Sequence, residues 1–252
     1  RGIRSELPAL LRALAERRSR EEFWIRLLYA YPIGVNEELV NLIRDEPAIC
    51  SYLDLPLQHI SHSVLKRMQR PLGEKGTRAL IESMRHAAPE VHLRTTFIVG
   101  FPGETEEDVR ALEKFVAEGH FTHVGVFTYS QEEEAQSFSM SDQIELEERE
   151  ARRARVMAAQ QRVVEESHEA LFGSRMRVLV EGFHEETELL LSSRAEWQAP
   201  ETDGETIINE FDESYGEVEP SEVLARLKGT FVDVEVTESA GYDLVARLLP
   251  IS

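Results

Sequence analysis

Between Trp24 and Tyr129 the sequence changes periodicity repeatedly, and always in the same sense. A short run rich in β-branched and aromatic residues gives way to a stretch whose apolar residues recur every three or four positions. The strand-like runs are Trp24 to Tyr31, Cys50 to Leu57, the first half of Arg94 to Glu104, and Phe121 to Tyr129. Between them Leu39, Leu42 and Ile43, then Val64, Leu65 and Met68, then Leu80, Ile81 and Met84 mark helices, with Pro71 and Gly73 as breaks. Strands joined by helices pair in parallel, because a parallel pair needs a long crossover where an antiparallel pair needs only a tight turn. Four strands cannot close a barrel, so the sheet is open or lacks strands upstream. Arg1, standing where an initiator Met would, favours the second expectation.

The third run, Arg-Thr-Thr-Phe-Ile-Val-Gly-Phe-Pro-Gly-Glu from Arg94 to Glu104, is a strand breaking into a loop at Gly100, Pro102 and Gly103. Thr105, with Asp108 three residues on, predicts a helix N-cap, and Val109, Leu112, Phe115 and Val116 carry the helix to Gly119. Ligands of α/β proteins gather where strands feed helices, so this loop is a candidate site. Phosphate is a poor occupant, because Glu104, Glu106, Glu107 and Asp108 already place negative charge at the helix N-terminus. An ordinary βα turn remains the alternative. Pro32, Gln58 with His59, Gly100 to Glu104, and Tyr129 with Ser130 all fall at strand ends and are expected on one rim.

Upstream of the strands, Glu6 to Arg18 carries Leu7, Leu10, Leu11 and Leu14 on one helical face. Downstream, Glu145 to Leu171 has a narrow apolar stripe and predicts one long helix. Past Gly173 the pattern becomes short alternating strands, Met176 to Glu181, Glu188 to Ser192, Thr206 to Asn209, Phe231 to Glu238 and Tyr242 to Leu248, as in a small antiparallel barrel. The expected division is therefore residues 1–144, a connecting helix over 145–173, and a barrel over 174–252.

The net charge of the 252 residues is -19, and residues 174–252 hold 18 acids against 6 bases, or -12 of it. Such a surface repels nucleic acid and anionic membrane and suits a basic partner, although solubility alone also accounts for it. With one cysteine, Cys50, and no long apolar run or secretion leader, the expected compartment is the cytoplasm. His59 with His62 and His120 with His123 have a metal-ligand spacing but no clear third ligand, so no metal site is assigned. Arg94, opening a buried strand, either faces the rim and holds a carboxylate or forms a structural salt bridge.

Leu28 to Pro32, Tyr52 to His59, Leu93 to Glu104 and Val126 to Ser130 closely resemble the radical S-adenosylmethionine domain of methylthiotransferases. Val178 to Gly182, Gln198 to Gly204 and Tyr242 to Leu244 are similar to their TRAM domain, a small OB-like barrel. Gln198-Ala199-Pro200-Glu201 and Tyr29-Ala30-Tyr31-Pro32 resemble the RimO branch, which methylthiolates an aspartate of a small-subunit ribosomal protein. The resemblance covers almost the whole chain. It implies a partial (β/α) barrel followed by the small barrel. It also implies S-adenosylmethionine as cofactor, met by Ile98, Gly100 and Glu104 and by Phe127 and Tyr129 around the adenine, by Gln58 near the ribose, and by Arg94 at the methionyl carboxylate. The basic ribosomal partner would meet the turn acids Glu185, Glu186, Glu201, Asp203, Asp212 and Glu213, expected to be solvated.

One departure is large. The family uses a Cys-x-x-x-Cys-x-x-Cys loop for one four-iron four-sulfur cluster and three further cysteines for a second, and this sequence has only Cys50. The expectation is a fragment beginning after the second barrel strand, ligating neither cluster and inert alone, with catalytic residues elsewhere in its parent. The alternatives are the related transfer RNA methylthiotransferase, against which the acidic tail argues, and a cluster-free module that binds protein.

Overall fold

The computed structural model describes residues 7–19, 22–216 and 218–250. The chain separates into two compact units, residues 1–162 and 163–252.

The first unit begins with α1 (Leu7–Ala15), which buries Leu11 and Ala15; Glu6, the expected start of this helix, lies outside the described residues. There follow β1 (Ile25–Leu27), α2 (Glu37–Asp45), β2 (Ile49–Asp54), α3 (His62–Arg67), α4 (Gly73–Ala87), β3 (His92–Val99), α5 (Glu106–Ala117) and β4 (His123–Thr128). The strands form one sheet in chain order, and each neighbouring pair is parallel. In β3 the two-residue repeat of a strand buries Leu93, Thr95, Phe97 and Val99 on one face and leaves Arg94, Thr96 and Ile98 together on the other, less covered face. Phe97 anchors the packed face, edge-to-face with Phe115 at 6.3 Å and with Phe121 at 6.0 Å. Ile98 pairs across the ladder with Phe127.

One expectation is revised here and another holds. β1 stops at Leu27 rather than Tyr31, because Tyr29 takes a φ of 57° and Pro32 then opens a single helical turn over Pro32–Gly34. The break between α3 and α4 is where Pro71 and Gly73 predicted it.

A long helix, α6 (Leu146–Glu169), contains the division between the units. The second unit is a closed barrel of β5 (Arg175–His184), β6 (Thr187–Ala195), β7 (Thr206–Phe211), β8 (Phe231–Ala240) and β9 (Asp243–Leu248), in the order β5-β6-β7-β9-β8. Four seams are antiparallel, as expected, and the β7–β9 seam is parallel. The parallel seam follows from a helix absent from the sequence reading, α7 (Pro220–Leu227), which with β8 carries the chain back to run beside β7. Pro220 in its first turn and Val223, Leu224 and Leu227 on its buried face were its available signals. Among the described residues no helix is long and apolar enough to cross a membrane.

Candidate functional site

A cavity of about 720 Å³ opens at the carboxyl ends of the parallel strands. Its wall takes Thr96 and Ile98 from the less covered face of β3, Phe127 and Thr128 from β4, Gln58 from beyond β2, Arg67 to Arg70 from the end of α3 and the loop after it, and Ala135, Gln136, Ser137 and Met140 from a second loop. Gln58 is pinned to β3 on both sides, its N–H donating to the Thr96 carbonyl at 2.9 Å and its carbonyl accepting from Ile98 at 2.8 Å. This pairing holds a non-glycine residue at a φ of 72°, a conformation that survives only where neighbours over-determine it. Phe127 is 60% exposed, a large ring presented to the cavity. Tyr129 is 8% exposed, packs edge-to-face on Phe101 at 5.2 Å, and has a hydroxyl with no hydrogen-bond partner among the described residues.

The loop after β3 is built for rigidity. Glu104, 4% exposed, takes the Gly100 N–H, meets His59 Nε2 at 3.2 Å and lies 3.4 Å from the Arg152 guanidinium. His59 Nδ1 accepts the Ser61 N–H at 2.9 Å, so its proton sits on Nε2 and points at Glu104. Gly100 has a φ of 75°, and a side chain there would run into Arg149, whose guanidinium donates to the Tyr129 carbonyl at 2.7 Å. Thr105 and Asp108 form the predicted capping box. Although partial burial opposes it, hydrogen bonds from Ser61, Thr105 and Ser63 hold the Asp108 carboxyl down at about 2.

The structure thus brings Gln58, Ile98, Phe127 and Tyr129 together on one cavity. Gly100 and Glu104 are not among its lining residues and hold the neighbouring loop. Arg94 is paired in the sheet, donating to Asp54 at 3.0 Å and to Thr96 at 3.3 Å, while Asp54 also accepts from the Tyr29 N–H at 3.0 Å. Thr96, Arg67 to Arg70, and Ala135, Gln136, Ser137 and Met140 were not predicted as site residues, because only the folded chain brings them to the strand ends.

Of the turn acids, Glu185, Glu186, Glu201 and Glu213 are exposed, and Asp212 is half-buried, accepting from the Ser214 N–H at 2.9 Å. Asp203 corrects the expectation of solvation: it is 2% exposed and accepts the Ala199 N–H at 3.1 Å, fastening its own turn. Among the described residues no three His, Cys, Asp or Glu side chains are placed to share a metal ion. His120 faces Glu118 at 3.0 Å, and Cys50 is buried in β2.

Two cofactors can be tried against this geometry. A nucleoside-sized cofactor fits the cavity, which offers an aromatic face, an amide side chain and an unpartnered buried hydroxyl. A four-iron four-sulfur cluster does not fit this chain, which has one thiol, fully buried at 0% exposure.

Comparison with known proteins agrees with the geometry. The radical SAM superfamily model matches residues 2–116 and the TRAM domain model residues 172–249. The ribosomal protein uS12 methylthiotransferase RimO of Syntrophotalea carbinolica is 44% identical over 245 residues, 97% of this chain and 50% of that protein. Its counterparts from Koribacter versatilis, 43% identical over 98% of this chain and 47% of theirs, and Geobacter sulfurreducens, 42% identical over 90% and 48%, agree. Among solved structures, coproporphyrinogen III oxidase (HemN) from Escherichia coli, a radical SAM enzyme, aligns at 18% identity over 64% of this chain and 37% of its own, with a TM-score of 0.48, a loose likeness that adds nothing to the assignment. The chain spans about half the length of the curated relatives it matches. With a radical SAM match ahead of a TRAM match, and this identity along nearly all its residues, the chain is similar to the RimO-type radical SAM methylthiotransferases over about half of their length.

Proposed function

We propose that this chain forms the adenosyl-binding wall and the terminal barrel of an enzyme that adds a methylthio group to the β-carbon of an aspartate in ribosomal protein uS12. The observation that carries the reading is the convergence of Gln58, Ile98, Phe127 and Tyr129 on one cavity at the strand ends. Phe127 offers a face on which a purine stacks, a contact typically of about 1–3 kcal/mol. Ile98 closes the ring's edge from the paired strand, the Gln58 amide reaches the ribose, and the Tyr129 hydroxyl supplies the hydrogen bond it now lacks. Gly100 and Glu104 serve by keeping the loop in place, and Arg94 keeps the β2 and β3 ends in register through Asp54.

S-adenosylmethionine supplies radical chemistry when bound beside a reduced iron–sulfur cluster. Both clusters belong, in this reading, to the half of the enzyme that the chain does not match, and the chain alone is inactive. Its working compartment is the cytoplasm, where uS12 is assembled. The exposed Glu185, Glu186, Glu201 and Glu213, with Asp212 beside them, attract a basic protein and speed encounter more than they raise final affinity.

The test is titration of the chain with purified uS12 and with transfer RNA at low and moderate salt. The reading expects binding to uS12 that weakens steeply with salt, and none to transfer RNA. Preference for transfer RNA would assign the chain instead to the transfer RNA methylthiotransferases.

A further inference from the structure

Two hollows of the first unit meet at a pair of neighbouring residues. The cavity of about 720 Å³ and a neighbouring hollow of about 530 Å³ share Gln69 and Arg70. The charged residues lining the cavity are Arg67 and Arg70, with no acid among them. The second hollow adds Lys66, Lys75 and His62 against the single acid Glu74. In a chain of net charge -19, this border is locally cationic.

The two arginines differ in what they already hold. Arg67 donates to the Pro102 carbonyl at 3.0 Å and to the Ser63 carbonyl at 3.4 Å, and its guanidinium lies against Gly103. Arg70 is fixed through its backbone, its N–H donating to the Leu65 carbonyl at 2.8 Å, while its guanidinium has neither an ion pair nor a hydrogen bond among the described residues. The adjoining wall includes Met68, Ile98, Phe101 and Met140. A guanidinium at the edge of an apolar wall presents a planar fork of donors that matches a carboxylate and loses less on desolvation than an ammonium does. Its place on both hollows sets it at the border of the cavity rather than on the strand wall of Ile98 and Phe127.

We propose that Arg70 is the carboxylate subsite of the acceptor, binding the side chain of the aspartate that is to be methylthiolated and so selecting aspartate over asparagine. This rests on the reading given under Proposed function and adds to it the residue that recognises the acceptor. Selection follows from the asymmetry of buried polar contacts: an asparagine in the same place gives the guanidinium a neutral, weaker partner and points an amide N–H₂ at a donor.

The experiment titrates the 252-residue chain with S-adenosylmethionine and with two peptides spanning the acceptor segment of uS12, one carrying the target aspartate and one asparagine in its place. Each is repeated on Arg70→Gln and Arg70→Lys, with circular dichroism confirming the fold. The wild-type chain should prefer the aspartate peptide by at least about tenfold, about 1.4 kcal/mol. Arg70→Gln should erase the preference and leave S-adenosylmethionine affinity within about twofold, and Arg70→Lys should keep part of it. Preference surviving in Arg70→Gln overturns the proposal, as does a loss of S-adenosylmethionine affinity in that variant with the preference intact, which would give Arg70 to the cofactor. Cofactor binding by the wild type without any aspartate preference overturns the subsite alone. Binding of neither cofactor nor peptide overturns the functional reading and the subsite together.

Discussion

Replacing Glu104 by Ala should be among the most damaging single substitutions in the first unit, and the structure sets its size. The carboxylate holds the Gly100 N–H and the His59 Nε2 proton, both buried, and lies 3.4 Å from Arg152. Arg152 is the least affected, because it keeps Glu148 at 2.7 Å and the Glu104 carbonyl at 2.9 Å. Gly100 and His59 have no such reserve among their described hydrogen bonds, and a buried donor left unsatisfied costs about 1–3 kcal/mol, so the pair costs about 2–6 kcal/mol. That range brackets the about 3–5 kcal/mol typical of breaking a buried ionic contact and is a large part of the about 5–15 kcal/mol that holds a domain folded. Glu104→Gln should cost less, about 1–3 kcal/mol, since one acceptor oxygen remains while its amide N–H₂ faces donors. Urea unfolding followed through Trp24, in a Trp197→Phe background that leaves the first unit as the sole reporter, measures both. A loss below about 1 kcal/mol for Glu104→Ala would refute the argument that this carboxylate staples the loop.

Other expectations follow from the same geometry. Phe97→Ala should destabilise the first unit by about 3–5 kcal/mol in the same assay, since its ring is fully buried between Phe115 and Phe121. Burial, with His123 and Arg85 nearby, holds His92 at about 4, below its ordinary 6.5. The unfolded chain therefore binds a proton there that the folded chain refuses, so stability falls as pH drops from about 6.5 through 4, by about 3 kcal/mol, and His92→Gln should flatten that limb of a pH–stability curve. The Asp108 carboxyl, held at about 2 against an ordinary 3.8, contributes stability that is present above about pH 4 and lost as pH falls through 2. Asp108→Asn should remove that lower limb. Reversing Glu185, Glu186 and Glu201 to Lys should slow uS12 association at low salt, with the difference closing as salt rises; equal rates at low salt would remove those exposed acids from the encounter.

What could be read in advance was local. Thr105 and Asp108 lie three residues apart, and their capping box formed as spaced; the β-branched and aromatic run that breaks at Gly100 formed as β3. What was missed depended on distant partners. Two of the donors that meet Glu104 lie 45 and 48 residues away in sequence, so nothing in its loop signals that it is consumed by the protein. Asp203 is the local exception: its partner, the Ala199 N–H, is four residues away, but a turn acid carries no signal that its carboxylate closes its own turn. The parallel β7–β9 seam depended on recognising α7, whose eight residues are too few for a strong periodic signal. Arg70 sits in a loop with no motif, and only the meeting of two hollows singles it out.

Calorimetric titration of S-adenosylmethionine into the chain and its Phe127→Ala variant reads out whether the strand-end cavity holds the cofactor. Phe127 is 60% exposed at the cavity and contributes little to the core, so its removal should leave the fold intact. Binding by the wild type should be saturable and should weaken about tenfold or more in Phe127→Ala, the scale of one lost stacking contact. Glu201→Lys, in a turn of the barrel, should bind as the wild type does. No binding by the wild type, or equal binding by Phe127→Ala, would contradict cofactor binding in that cavity.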